Sequence, residues 1–140
     1  MAVEVIVCGL PSSGNRMVKE VLVHAGANAA VMHTPRQIST YWRGLRGKKI
    51  KAVVPVRTSP FWEMSIKTNK HEAGYGKLTL LDILNTLRAL ELEYMVVTYE
   101  GFLMYPSLVT KAMLGFLNLP RPDALVPFPV IDGNLKYEIL

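Results

Sequence analysis

The stretch Val5 to Leu22, VIVCGLPSSGNRMVKEVL, decides how this chain folds. Val5 to Cys8 form a short apolar run, Gly9 and Gly14 bracket two serines, and Met17, Val18, Val21, Leu22 and Ala25 then recur at helical spacing. That is the order of a strand, a glycine loop and a helix, with Gly26 suited to the position just past the helix end. The two glycines keep the spacing of GxxxxGK[ST], a loop whose backbone N–H groups cradle phosphate. Asn15 and Arg16 stand where its lysine and its magnesium-binding hydroxyl belong. What remains is a nest of N–H groups around Ser12, Ser13, Gly14 and Asn15 at a helix N-terminus, with the Arg16 guanidinium in the first turn. Such a loop can take an anion without metal. A tight strand-to-helix turn that binds nothing is the alternative on this stretch alone.

Working outward, strand and helix periods alternate. Residues 28–33 (NAAVMH) read as a second strand and 50–56 (IKAVVPV) as a third, although Pro55 argues against it. Ser59 and Pro60 suit the N-cap and first position of a helix, and Thr79 with Asp82 forms a capping box opening a helix over 79–92. Residues 93–99 (EYMVVTY) read as the fourth strand, and Pro106 opens a last helix with Leu108, Val109, Ala112, Met113, Phe116 and Leu117 on its apolar face. This alternation predicts an α/β domain, a three-layer α/β/α arrangement around a mainly parallel sheet. Ligands of such sheets bind beyond the carboxyl ends of the strands. Gly9 to Arg16, His33 to Arg36, Arg57 to Ser59 and Tyr99 to Gly101 therefore share one rim. Residues 120–140 carry four prolines and read as an extended tail wrapping the domain. Arg36 to Lys51 is dense in cations, with Tyr41 and Trp42 among them, and reads as a solvated loop. Its sharper readings are an acceptor surface for something acidic or part of a nucleotide site; no nucleic-acid recognition motif accompanies it.

Composition bounds the answer. The 140 residues are 50% hydrophobic, enough for one domain over 1–140 with its own core. A net charge of +5 and a pI near 9.4 favour anionic ligands. The one cysteine, Cys8, reads as a buried strand residue. The absence of a signal-like amino terminus and of any long apolar run leads to the expectation of a soluble, cytoplasmic protein with no membrane partner.

Three stretches resemble the sulfotransferases that use 3′-phosphoadenosine 5′-phosphosulfate (PAPS). GLPSSGN resembles their G-x-P-[KR]-S-G-T loop at Gly9, Pro11, Ser13 and Gly14. VVPVRTSPFWEMS resembles their 3′-phosphate signature, an Arg ending a strand and a Ser eight residues later, here Arg57 and Ser65. Residues 96–120, beginning VVTYEGF and ending GFLNLP, look like the family's Y-E-D-L-x-x-x-P…FLGLP segment. The three occur in the family order and spread over most of the chain.

The resemblance implies a P-loop-like, sulfotransferase topology and transfer of a sulfuryl group from PAPS to an acceptor hydroxyl or amine, with no metal expected. The cofactor-binding residues it implies are Gly9, Pro11, Ser12, Ser13, Gly14, Asn15, Arg16, Arg57, Ser65 and Lys136, the last from the tail. The catalytic set it implies is His33 as general base, Arg16 toward the 5′-phosphate, and Ser12 at the loop position where the family carries Lys or Arg. Arg16, Lys136 and Arg36 are the candidates to replace that missing cation. The partners implied are the nucleotide co-substrate and an acceptor, acidic or large, with no specific nucleic acid. Two other readings stand beside this one: a nucleoside or nucleotide kinase relative of the same fold, and a noncatalytic nucleotide-binding module. The absent GK[ST] argues against the first, and Ser12 favours the second.

Overall fold

In the computed structural model, which describes residues 3–10, 13–45, 48–57 and 79–120, four strands run parallel. They are β1 (Glu4–Val7), β2 (Asn28–Val31), β3 (Lys51–Val56) and β4 (Glu93–Thr98), ordered β2-β1-β3-β4 across the sheet. Register runs from Glu4 opposite Asn28 to Val7 opposite Val31 on one side of β1, and from Val5 opposite Lys51 to Val7 opposite Val53 on the other. The helices are α1 (Asn15–His24), α2 (Pro35–Gly44), α3 (Leu80–Ala89), α4 (Tyr99–Met104) and α5 (Pro106–Phe116).

Strand side chains alternate between faces, so each strand feeds two cores. Val5, Val7 and Val53 pack with Val18 and Leu22 of α1, and with Phe102 and Met113 of α4 and α5. Ile6, Cys8 and Val54 pack with Ile38 of α2 and with Ile83 and Leu87 of α3. The sheet is thus covered on both sides, which is why β1 and β3 read as continuous apolar runs. The β1-to-β2 crossover uses the first face and the β2-to-β3 crossover returns over the second. Direction and face reverse together, which keeps one handedness throughout. Among the described residues no helix is long and apolar enough to cross a membrane.

Three sequence expectations need correcting or completing. Pro55 does lie within β3. The Cys8 N–H donates to the Val53 carbonyl at 3.0 Å, the last such bond between β1 and β3, so Pro55 faces the same side just beyond the end of β1, where its missing N–H is not needed. The stretch Arg36 to Lys51 is a loop only in part: residues 35–44 are α2, and 48–50 are in neither helix nor strand. A reciprocal capping box explains the helix, because Thr34 Oγ1 accepts from Gln37 N at 3.2 Å while Gln37 Oε1 accepts from Thr34 N at 3.2 Å, with Pro35 at the first helical position. Tyr99 does not extend β4 but begins α4, because Thr98 Oγ1 accepts from Gly101 N at 3.0 Å and turns the chain into a helix. The helix expected from Ser59 and Pro60 and the tail from Arg121 onward lie outside the described residues.

Cys8 is fully buried, and burial pushes its thiol up to about 12 from 9.0. The folded state therefore keeps a proton that the unfolded chain loses above pH 9, so this contribution to stability is complete below pH 9 and is lost as pH rises toward 12. Thiol-reactive dye at pH 8 should label the native protein only at its unfolding rate. Cys8→Ala should cost about 1 kcal/mol at neutral pH, and denaturant titrations should show the gap to wild type narrowing above pH 9.

Candidate functional site

The order β2-β1-β3-β4 makes the carboxyl ends of β1 and β3 the point where successive crossovers diverge, the place where a crevice is expected in such sheets. Gly9 leaves β1 there, so close to β3 that a Cβ would strike the Pro55 carbonyl and crowd Asn15 Oδ1. Only glycine fits. The buried Asn15 side chain then fastens the loop: its Oδ1 accepts from Gly9 N at 2.8 Å, and its Nδ2 donates to Gly9 O at 3.2 Å and to Leu10 O at 3.1 Å. Asn15 takes the position of the usual loop lysine and uses its amide on the loop's own backbone. Ser13 is buried, and its N–H donates to Leu10 O at 3.2 Å.

Gly14, at φ +96°, is the N-cap of α1, and the first helical bond runs from Val18 N to Gly14 O at 3.1 Å. Thr34, Thr79 and Thr98 cap α2, α3 and α4 through their side chains; α1 has neither a side-chain cap nor an acidic residue in its first turn. Arg16 is exposed in that turn, a cation at the positive end of the helix macrodipole. An anion bound to the first-turn N–H groups would relieve both deficits.

Arg57 ends the strand segment of β3 and is buried, 5% exposed. Its guanidinium carbon lies 4.3 Å from the centroid of the Tyr99 ring, within range of a cation–π contact. The same ring meets the glycine loop: a Cβ on Gly14 would sit 3.0 Å from Tyr99 Cδ2. One aromatic ring therefore separates and spaces the buried guanidinium and the N-cap of α1. Tyr99 is 1% exposed, and its position on the rim gave no sign of the stacking. Only the Y-E pair at the end of a strand marked the residue.

His33 follows β2 and is half-buried. Its Nδ1 is 3.4 Å from Gly9 O and 3.5 Å from Asn15 Nδ2. Since both amide hydrogens of Asn15 already go to carbonyls, the consistent arrangement is Nδ1–H donating to Gly9 O. The backbone is held as well: Gln37 Oε1 accepts from His33 N at 2.8 Å, tying the histidine to the cap of α2. Glu100 lies in the first turn of α4, on the same rim. His24 is exposed in the last turn of α1, at the far end of the domain. Among the described residues no group of three or more His, Cys, Asp and Glu could hold a metal ion.

The structure thus brings Gly9, Ser13, Gly14, Asn15, Arg16, His33 and Arg57 to one rim. Pro11, Ser12, Ser65 and Lys136 lie outside the described residues, as does His71. No protein-family model matches the chain, and no curated protein matches it in sequence.

Asn15→Ala should unfold the loop's support, since it strands the buried Gly9 N–H and two carbonyls. Chemical denaturation should register a loss of about 2–4 kcal/mol. Asn15→Asp keeps the acceptor for Gly9 N–H but turns a carboxylate oxygen toward two carbonyls; its stability should be comparably reduced and its affinity for inorganic pyrophosphate should fall as well.

Proposed function

We propose that this chain binds 3′-phosphoadenosine 5′-phosphosulfate at the crevice between β1 and β3 and transfers its sulfuryl group to an acceptor hydroxyl or amine, as a short member of the P-loop-like sulfotransferases. The observation that carries the reading is Arg57: a buried guanidinium at the end of β3, stacked on the ring that also abuts the glycine loop. A guanidinium fixed at that rim can present two parallel N–H groups to a phosphate beside the loop. The parallel sheet, the loop after β1 and the arginine after β3 support a P-loop-like topology for the same reason.

The residues fit such an anion. The first-turn N–H groups of α1 and Arg16 would hold the 5′-phosphates, and Arg57 the 3′-phosphate, with Ser65 as its partner. The co-substrate supplies a sulfuryl group whose departure leaves charge on phosphate oxygens. Preorganised N–H donors and guanidinium groups at that position stabilise such charge, each by a few kcal/mol. His33, its Nδ1 directed at Gly9 O, would accept the acceptor's proton at Nε2. A second reading rests on the glycine loop itself: with Ser12 in place of the family's cation and the Asn15 amide committed to Gly9 and Leu10, the site binds the nucleotide and transfers nothing.

Isothermal calorimetry decides between nucleotide classes. 3′-Phosphoadenosine 5′-phosphate should bind more tightly than ADP or ATP and need no Mg²⁺, and Arg57→Ala should remove about 1.5–3 kcal/mol of that preference. Equal affinities, or ATP binding that requires Mg²⁺, would refute the sulfotransferase reading in favour of a kinase relative.

Radiolabelled transfer to phenols, glycans and peptides then tests the base. His33→Ala should leave nucleotide affinity nearly unchanged and slow transfer by about 10²–10⁴-fold. Tight nucleotide binding with no transfer by the unmodified chain would select the noncatalytic module.

A further inference from the structure

Residues 35–51 contain six Lys or Arg and no Asp or Glu. Lys51 is committed, donating to the Phe116 carbonyl at 2.7 Å and lying 3.5 Å from Glu93. Arg36, Arg43, Lys48 and Lys49 are exposed, and none makes an ion pair with the described residues. Arg36 and Arg43 are seven residues apart on α2, hence on one side of it and about 10.5 Å apart along its axis. Ile38, on the opposite side, is buried against α3 and the sheet, so the two arginines face outward. Lys48 and Lys49 are exposed between α2 and β3. Trp42, next to Arg43 in sequence and about 100° round the helix from it, is 39% exposed.

We propose that this strip docks single-stranded nucleic acid without regard to sequence. Exposed cations attract a phosphate backbone, guanidinium groups pair with phosphate oxygens through two N–H bonds, and an exposed indole on the adjoining flank of the helix offers a stacking face to an unpaired base. A basic stripe along a helix in a chain of pI near 9.4 is the electrostatic footprint of such binding. A lipid surface fits less well: Trp42 is the one large apolar side chain of α2 that is exposed, too little to insert as an apolar face. An acidic peptide or polysaccharide would engage the cations and leave the indole without its role. A duplex keeps its bases stacked internally and would do the same. The strip lies on the outer face of α2, so its binding does not depend on the function assigned to the crevice.

Fluorescence anisotropy of a labelled oligothymidylate of about fifteen nucleotides, with the full chain at low salt, tests this. Binding should weaken with salt with a log–log slope of about −2 to −3, about 0.7 per phosphate neutralised. Trp42→Ala should weaken it by about 5- to 100-fold. The pair Arg43→Glu and Lys48→Glu should weaken it by at least about 10-fold, with circular dichroism establishing that each variant is folded. Heparin, polyglutamate, the matching duplex and phosphatidylserine vesicles serve as competitors. The proposal is overturned if the oligonucleotide binds the charge-reversed variant as well as wild type, if Trp42→Ala changes nothing, or if one of the competitors of equal charge binds more tightly.

Discussion

The side-chain amide of Asn15 is the constraint on which the site depends. A chain leaving a central parallel strand must abandon its ladder hydrogen bonds and turn toward a helix, and the backbone groups at that bend are buried. Asn15 satisfies Gly9 N–H, Gly9 O and Leu10 O together, from the first residue of the helix that the loop leads into. Strand end, loop and helix start are thereby one rigid piece. Gly9 makes this possible by lying against the Pro55 carbonyl, an approach that any Cβ would prevent. The same bracing positions His33, whose ring nitrogen rests near the carbonyl that Asn15 also engages.

Around that piece, Tyr99 acts as a spacer. Its ring lies under the Arg57 guanidinium and against Gly14, so a residue from the start of α4 fixes the separation between a cation on β3 and the helix terminus after β1. Burial makes the arrangement stiff, because a guanidinium held on an aromatic face has few other places to go. Lys51 illustrates the contrast at the opposite end of β3. Its ammonium sits 4.8 Å from the Phe116 ring and donates to the Phe116 carbonyl, closing the carboxyl end of α5. That cation answers a helix C-terminus; Arg57 stands at the end of the sheet where helix N-termini gather.

Much of the architecture was legible because the signals were local and strong. Apolar runs at Val5 to Cys8 and Ala52 to Val54, the capping box of Thr79 and Asp82, and Pro106 at a helix start each name an element without tertiary information. The cap of α2 was as clear in Thr34, Pro35 and Gln37, but the cations that follow drew the reading toward a loop. A helix lying on the outside of a layer needs only one fully buried residue, here Ile38, so its apolar stripe is thin. In the site, the glycines and Arg57 could be read because position alone defines them. The roles of Asn15 and Tyr99 could not, since nothing in the one-dimensional string says that an amide folds back on residue 9 or that a ring from α4 reaches Arg57.

The two cation sets of the molecule differ in how water treats them, and that difference separates their uses. Arg57 is desolvated and its surroundings have a low effective dielectric, so its interaction with an anion changes little with ionic strength and depends strongly on distance and orientation. Arg36, Arg43, Lys48 and Lys49 are hydrated, and at physiological salt each acts over less than about 8 Å. The first arrangement can discriminate one phosphate position from another; the second can only hold a polyanion near the surface. On the functions proposed above, a single basic composition would serve a selective site and an unselective one. The net charge of +5 describes neither, because selectivity follows from which guanidinium the fold buries and which it leaves in water.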